Sequence, residues 1–297
     1  MSGGHAKVPV FATIANAYAF ALGEFPTVLR LTLLPTLAVA VAAYFFVSDF
    51  VAGLPFSEAK LDPAKLDFTR FIHLARMQAI YSLIAMTGAA IAIVALMRAL
   101  LFDERQPGLL FYLRFGAAEI RVVFASVVIQ VLLFLSVIPL FFLLAAFLPA
   151  LKAGGASDRV SVGAFGIGGL CVYLVVVWLM LRLSLYPAVA VSQNSLGLAE
   201  SWVLTRGNAL RLFVVTVLTL LPLILLTMFS LAALVAGHSP SEFKDAATLS
   251  GVMASVPTAV AIMVLLQVLF GNAFFVGIVG SAYLSLTGAT GEAEAET

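Results

Sequence analysis

Arg30, Arg121 and Arg211 stand 91 and 90 residues apart. Each follows a glycine, Gly23, Gly116 or Gly207, and each leads into a long apolar run. A guanidinium at such a corner extends its head to lipid phosphates while its stem stays in apolar surroundings. Further polar residues gather before the third corner: Arg182, Glu200, Ser201, Thr205, Arg206 and Asn208. Gln267 and Asn272 lie five residues apart in the last apolar run, beside Gly271. They fit either a cavity lining at a broken helix or hydrogen bonds between helices.

Reactive chemistry has little to work with. No G-x-x-x-x-G-K-[ST] loop, G-x-S-x-G elbow or H-E-x-x-H pair occurs. His5, His73 and His238 are isolated in sequence, and the last two read as solvated loop residues. Cys171 is the single cysteine, so an internal disulfide and a thiolate metal cluster are excluded. Gly163, Gly166, Gly168 and Gly169 lack the strand that precedes a dinucleotide fingerprint, and read as helix-packing positions. The expectation is a non-enzymatic protein with no catalytic residue, metal or cofactor.

The elements that carry these residues follow from composition. The chain has 297 residues, 63% hydrophobic and 10% charged. A soluble domain is about 45–50% apolar and about 25% charged. A net charge of +1 gives no signal for nucleic acid. Apolar runs of the length needed to cross a bilayer must close their backbone hydrogen bonds internally, so they read as helices. Six spans are expected, near Phe25–Phe46, Met77–Leu101, Val122–Leu148, Ala164–Pro187, Leu210–Ala236 and Val252–Leu286. The fold class is therefore an all-α, polytopic membrane protein. Pro139 and Pro222 are expected to kink their helices, and Gly271-Asn272 marks a possible break in the last.

Short stretches with helical spacing precede alternate spans and read as interfacial helices. In the first, Val10, Phe11, Ile14, Tyr18, Leu22 and Phe25 form the apolar face, with Thr13 and Asn16 off it. The second is Leu109–Phe115, after Pro107-Gly108. In the third, Asn194, Ser201, Thr205 and Asn208 form a polar stripe opposite Leu196, Ala199 and Val203. Together they define three tandem units, residues 8–101, 107–190 and 193–286, within one membrane domain of residues 1–287. The acidic tail, residues 288–297, is expected to be disordered. Asp62-Pro63 could start a helix leading into the second span, and the stripe Ala273, Gly277, Ser281 and Ser285 reads as packing within the chain. Basic residues favour the face with both termini, nine against seven, which places the termini in the cytoplasm.

The segment from Leu181 to Phe213 reads LRLSLYPAVAVSQNSLGLAESWVLTRGNALRLF. It resembles the membrane domain of bacterial glycerophosphodiester phosphodiesterases and the related stand-alone six-span inner-membrane proteins. The resemblance implies an all-helical protein of the bacterial cytoplasmic membrane and brings no catalytic residue, since the reaction belongs to a separate soluble domain. Two readings account for the motif. One is a structural elbow, with Gly207-Asn208 as a helix cap and Trp202 in the aromatic belt. The other is a headgroup or partner site formed by Arg182, Arg206 and Arg211. The expected partners are membrane phospholipids, with a membrane protein or a second copy as a further possibility. The functional expectation is a lipid-interacting scaffold or accessory protein; a transporter or lipid translocator with a cavity near Gln267 and Asn272 is the alternative.

Overall fold

The computed structural model describes residues 6–52, 68–104, 115–153, 158–236 and 246–288. Among the described residues there is no strand. Helix α1 (Val10–Tyr18) widens into a π turn over Ala19–Gly23 and leads to α2 (Phe25–Ala52). Then follow α3 (Phe68–Phe102), α4 (Ala117–Ala153) and α5 (Asp158–Leu183). Two short helices, α6 (Tyr186–Ser192) and α7 (Leu198–Leu204), precede α8 (Ala209–Ala236) and α9 (Ala246–Thr287). Six of these, α2, α3, α4, α5, α8 and α9, are long and apolar enough to cross a bilayer, with mean hydropathy of 2.0–2.6 over their described apolar stretches. The chain is an integral membrane protein.

Helix α9 is the central post. It packs along α2, α3 and α8, and α1 lies against both α8 and α9. The α4–α5 hairpin joins through α3 and through α6. Large apolar side chains such as Phe124, Phe134, Leu174 and Phe229 face outward, whereas small ones fill the contacts. That is the pattern expected when the surroundings are as apolar as leucine and close backbone approach, not burial of oil, holds helices together. A Cβ on Gly88 would stand 2.7 Å from Val39 Cγ2 and 3.1 Å from the Pro35 carbonyl oxygen, so glycine sets the α2–α3 approach. A Cβ on Gly277 would stand 2.7 Å from the Ala17 Cα, so the same device seats α1 on α9 within one chain.

Several expectations change. Helix α5 stops at Leu183, and Tyr186-Pro187 opens a separate helix. The reason is that Pro187 has no N–H to offer the Leu183 carbonyl, yet fits the first turn of α6. Helix α9 runs unbroken through Gly271-Asn272. His73 belongs to α3, where its Nε2 lies 2.9 Å from Asp49 Oδ2 of α2. In α1 the buried positions are Thr13 and Ala17, while Phe11 is exposed. The side packed against α8 and α9 is thus the one that carries the small residues, and the Phe11 side is left to the surroundings. Residues 105–114, which hold most of the second interfacial stretch, lie outside the described residues, as do Asp62-Pro63, His5, His238 and the tail from 289.

Gly277→Val should lower thermal stability in detergent, by roughly 1–3 kcal/mol for overpacking against α1. Gly271→Ala, whose added carbon meets only Leu223 at 3.8 Å, should not. Equal melting of the two variants would show that α1 is not seated at Gly277.

Candidate functional site

The last carbonyls of a helix have no partner within it. At the end of α5 the Arg182 carbonyl accepts from Ser201 Oγ at 3.1 Å and from Thr205 Oγ1 at 2.9 Å. The Leu185 N–H donates to Ser201 Oγ at 3.1 Å. Both hydroxyls are fully buried. The polar stripe expected to face water therefore faces inward, because the break at Ser184-Leu185 exposes backbone that only the chain can satisfy. Gly197 makes the fold-back possible: its φ is +72°, and a Cβ there would stand 2.6 Å from the Tyr186 carbonyl oxygen.

Asn208 turns its side chain to the N-terminal segment, and the residue that closes α7 is Thr205. Its Oδ1 accepts from the Val8 N–H at 3.1 Å, and its Nδ2 donates to the Ala6 carbonyl at 3.0 Å. Arg211 donates to the Val8 carbonyl at 3.3 Å. Three bonds thus fasten the N-terminal segment to the start of α8. Tyr18 adds a fourth, its hydroxyl donating to the Thr219 carbonyl at 3.0 Å.

The candidate arginines have different fates. Arg121 donates to Asn194 Oδ1 at 2.8 Å, between α4 and the α6–α7 connection. Arg30 lies half-buried on α2, and Glu200 half-buried on α7. Arg182 is 8% exposed, with its guanidinium carbon 4.4 Å from the Trp202 ring centre and 5.9 Å from that of Trp178. Those are stacking distances for a cation over an aromatic face. The indoles meet edge to face at 5.2 Å, and Arg206 stands exposed nearby. The structure thus brings together Arg182 and Arg206. It places Arg211 on the N-terminal segment, and Arg30 and Arg121 on other helices. The three corner glycines also differ, since only Gly207 has a positive φ, +78°.

One residue escaped the sequence reading. Glu119, fully buried in the first turn of α4, accepts from the Gly116 N–H at 2.9 Å and lies 3.5 Å from an Arg98 nitrogen. The signal was present in the three-residue spacing from Gly116 to Glu119, which matches a carboxylate reaching back to cap its own helix. The apolar run was instead begun at Val122.

A cavity of about 650 Å³ opens between the α4–α5 hairpin and α8–α9, lined among others by Gln130, Tyr186, Thr216 and Ile278. A smaller one of about 390 Å³ lies beside Glu24, Asp103 and Ser281. Gln267 and Asn272 line neither. Gln267 donates to Thr227 Oγ1 at 2.7 Å, joining α9 to α8, and the Asn272 amide nitrogen is shielded without a hydrogen-bond partner. Among the described residues no three His, Cys, Asp or Glu side chains gather as a metal site.

Asn208→Ala should leave the buried Val8 N–H without a partner, at a cost of about 1–3 kcal/mol. Amide hydrogen exchange at Val8 should then accelerate sharply while α9 stays protected; unchanged exchange would contradict the bracket.

Comparison with protein-family models, with curated proteins and with solved structures gives no match, so the site is read from its own geometry.

Proposed function

We propose that this chain is a lipid-interacting scaffold or accessory protein of the bacterial cytoplasmic membrane, without catalysis of its own. Its arginine-rich end and both termini face the cytoplasm on this reading. The observation that carries it is Arg182, buried against Trp178 and Trp202, with the exposed Arg206 near enough to repel it. Two guanidiniums at close quarters repel, and among the described residues no carboxylate stands within ion-pair distance of either. An anion is the missing partner. At the edge of a bilayer the abundant anion is the lipid phosphate, and indoles favour the same depth. Arginine suits the task because its planar fork matches phosphate oxygens.

Orientation rests on the basic bias of the connections, which favours the cytoplasmic side for this end. The resemblance of Leu181–Phe213 to the phosphodiesterase membrane domain supports the same setting, a bacterial inner membrane. In that setting the large apolar residues on α4, α5 and α8 leave room for a membrane partner or a second copy.

The 650 Å³ cavity favours a second reading, a lipid translocator. Flux separates the two. On the scaffold reading, proteoliposomes move labelled phospholipid no faster than empty vesicles.

The lipid site is tested by native mass spectrometry of protein taken from nanodiscs containing phosphatidylglycerol and phosphatidylcholine. The wild type should retain the anionic lipid preferentially. Arg182→Ala with Arg206→Ala should reduce that preference about tenfold, the loss of two charge-assisted bonds. An unchanged preference would overturn the reading.

A further inference from the structure

The 650 Å³ cavity has a composition that selects its contents. Its walls are apolar, from Ile93, Ile129, Val177, Leu212 and Val279 among others. From Tyr173 to Leu183 it extends along nearly three turns of α5, about 15 Å at the helical rise. Its volume is in the range of ligand pockets, about 300–1,000 Å³. Most of that wall offers water no hydrogen bond, which favours an apolar occupant. A slot of that length, between a hairpin and its neighbours, matches a hydrocarbon tail.

The polar groups in the slot are all uncharged. Ser126 and Tyr186 hydroxyls bond each other at 2.8 Å, and Ser184 donates to the Leu181 carbonyl at 2.8 Å. Gln130 is different. It lines the cavity, its side chain is exposed, and it makes no hydrogen bond within the described residues. Thr216, across the slot on α8, is equally without one. Gln130 lies nine residues beyond Arg121 in α4, about 13 Å deeper at the helical rise. In a hydrocarbon layer about 30 Å thick, that is near the middle. An amide there without a partner costs several kcal/mol, so something must meet it.

Depth and charge exclude a phospholipid in that position. Its phosphate would have to sink among walls that hold no lysine or arginine among the described residues. We propose that the slot binds an uncharged lipid, with its tail along the apolar wall and its carbonyl or hydroxyl group on the Gln130 amide. Diacylglycerols and long-chain alcohols have that chemistry. The Gln130 N–H groups donate to the lipid oxygen, and the Thr216 hydroxyl faces the same space. This site is independent of the Arg182–Arg206 pair.

The experiment is titration of delipidated, detergent-solubilised protein with dioleoylglycerol, read by native mass spectrometry, with dioleoylphosphatidylglycerol as the charged comparison. The wild type should bind dioleoylglycerol stoichiometrically. Gln130→Leu should bind it about tenfold more weakly, as expected for losing one or two hydrogen bonds to a desolvated amide. Because Gln130 has no partner to lose, this variant should melt no lower than wild type. Met180→Trp, which adds bulk from an exposed position on the wall, should abolish binding. The double change at Arg182 and Arg206 should leave dioleoylglycerol binding unaltered, which separates this site from the headgroup site. Absence of wild-type binding, equal binding by Gln130→Leu, or equal affinity for the charged lipid in the variant that carries both Arg182→Ala and Arg206→Ala would each overturn the proposal.

Discussion

A helix that ends shielded from water must find donors for its last carbonyls in its own chain. That constraint organises the arginine-rich end of this protein. Pro187 forces α5 to stop at Leu183, and the backbone it strands is met by Ser201 and Thr205 on α7. The need to bring those hydroxyls back over the break explains the left-handed Gly197 and the short α6–α7 pair. The next turn carries Asn208, which holds the N-terminal segment and so decides where α1 enters the contact between α8 and α9. A single interrupted helix thus propagates, bond by bond, to the opposite end of the sequence.

The same end concentrates charge, and the chain treats its charges in two ways. Arg98 and Glu119 neutralise each other inside the contact between α3 and α4, and the carboxylate also caps α4. Arg182 is instead covered by two indoles and set beside another cation. A buried charge needs a partner. That contrast is what supports the proposed anion at Arg182. Lower down, the uncharged amide of Gln130 poses the same question in a milder form. Both proposals rest on one principle, that a polar group in a membrane protein is costly to leave without a partner.

Much of the fold was legible in the sequence, because span length and apolarity depend only on bilayer thickness. All six spans are where the apolar runs place them, with helix ends shifted by several residues at Ala52, Phe68, Ala117, Leu183 and Ala246. The residues of the third corner were also legible, since Ser201, Thr205, Arg206 and Asn208 are conspicuous in so apolar a chain. Their direction was not. Amphipathic reasoning assumes that oil goes inside and polarity outside, which holds in water. In a membrane, Phe11 points out and Thr13 points in, and the polar stripe of α7 turns to the core. Glu119 was missed because its partner Arg98 is distant in sequence, so neither looks paired until the helices are assembled. The cavity beside Gln130 arises from the gap between two hairpins, a tertiary feature that the run Val127–Leu133 does not reveal.

The inward turn of Ser201, Thr205 and Asn208 is the claim on which the rest stands. It is tested by single cysteines at 199, 201, 205, 206 and 208 in a Cys171→Ser background, probed with a membrane-impermeant maleimide in inside-out vesicles. Cysteine at 206 should label readily, while 201, 205 and 208 stay protected. Labelling at 201, 205 and 208 as fast as at 206 would mean that α7 lies on the surface with its polar stripe in water, and the account would fail.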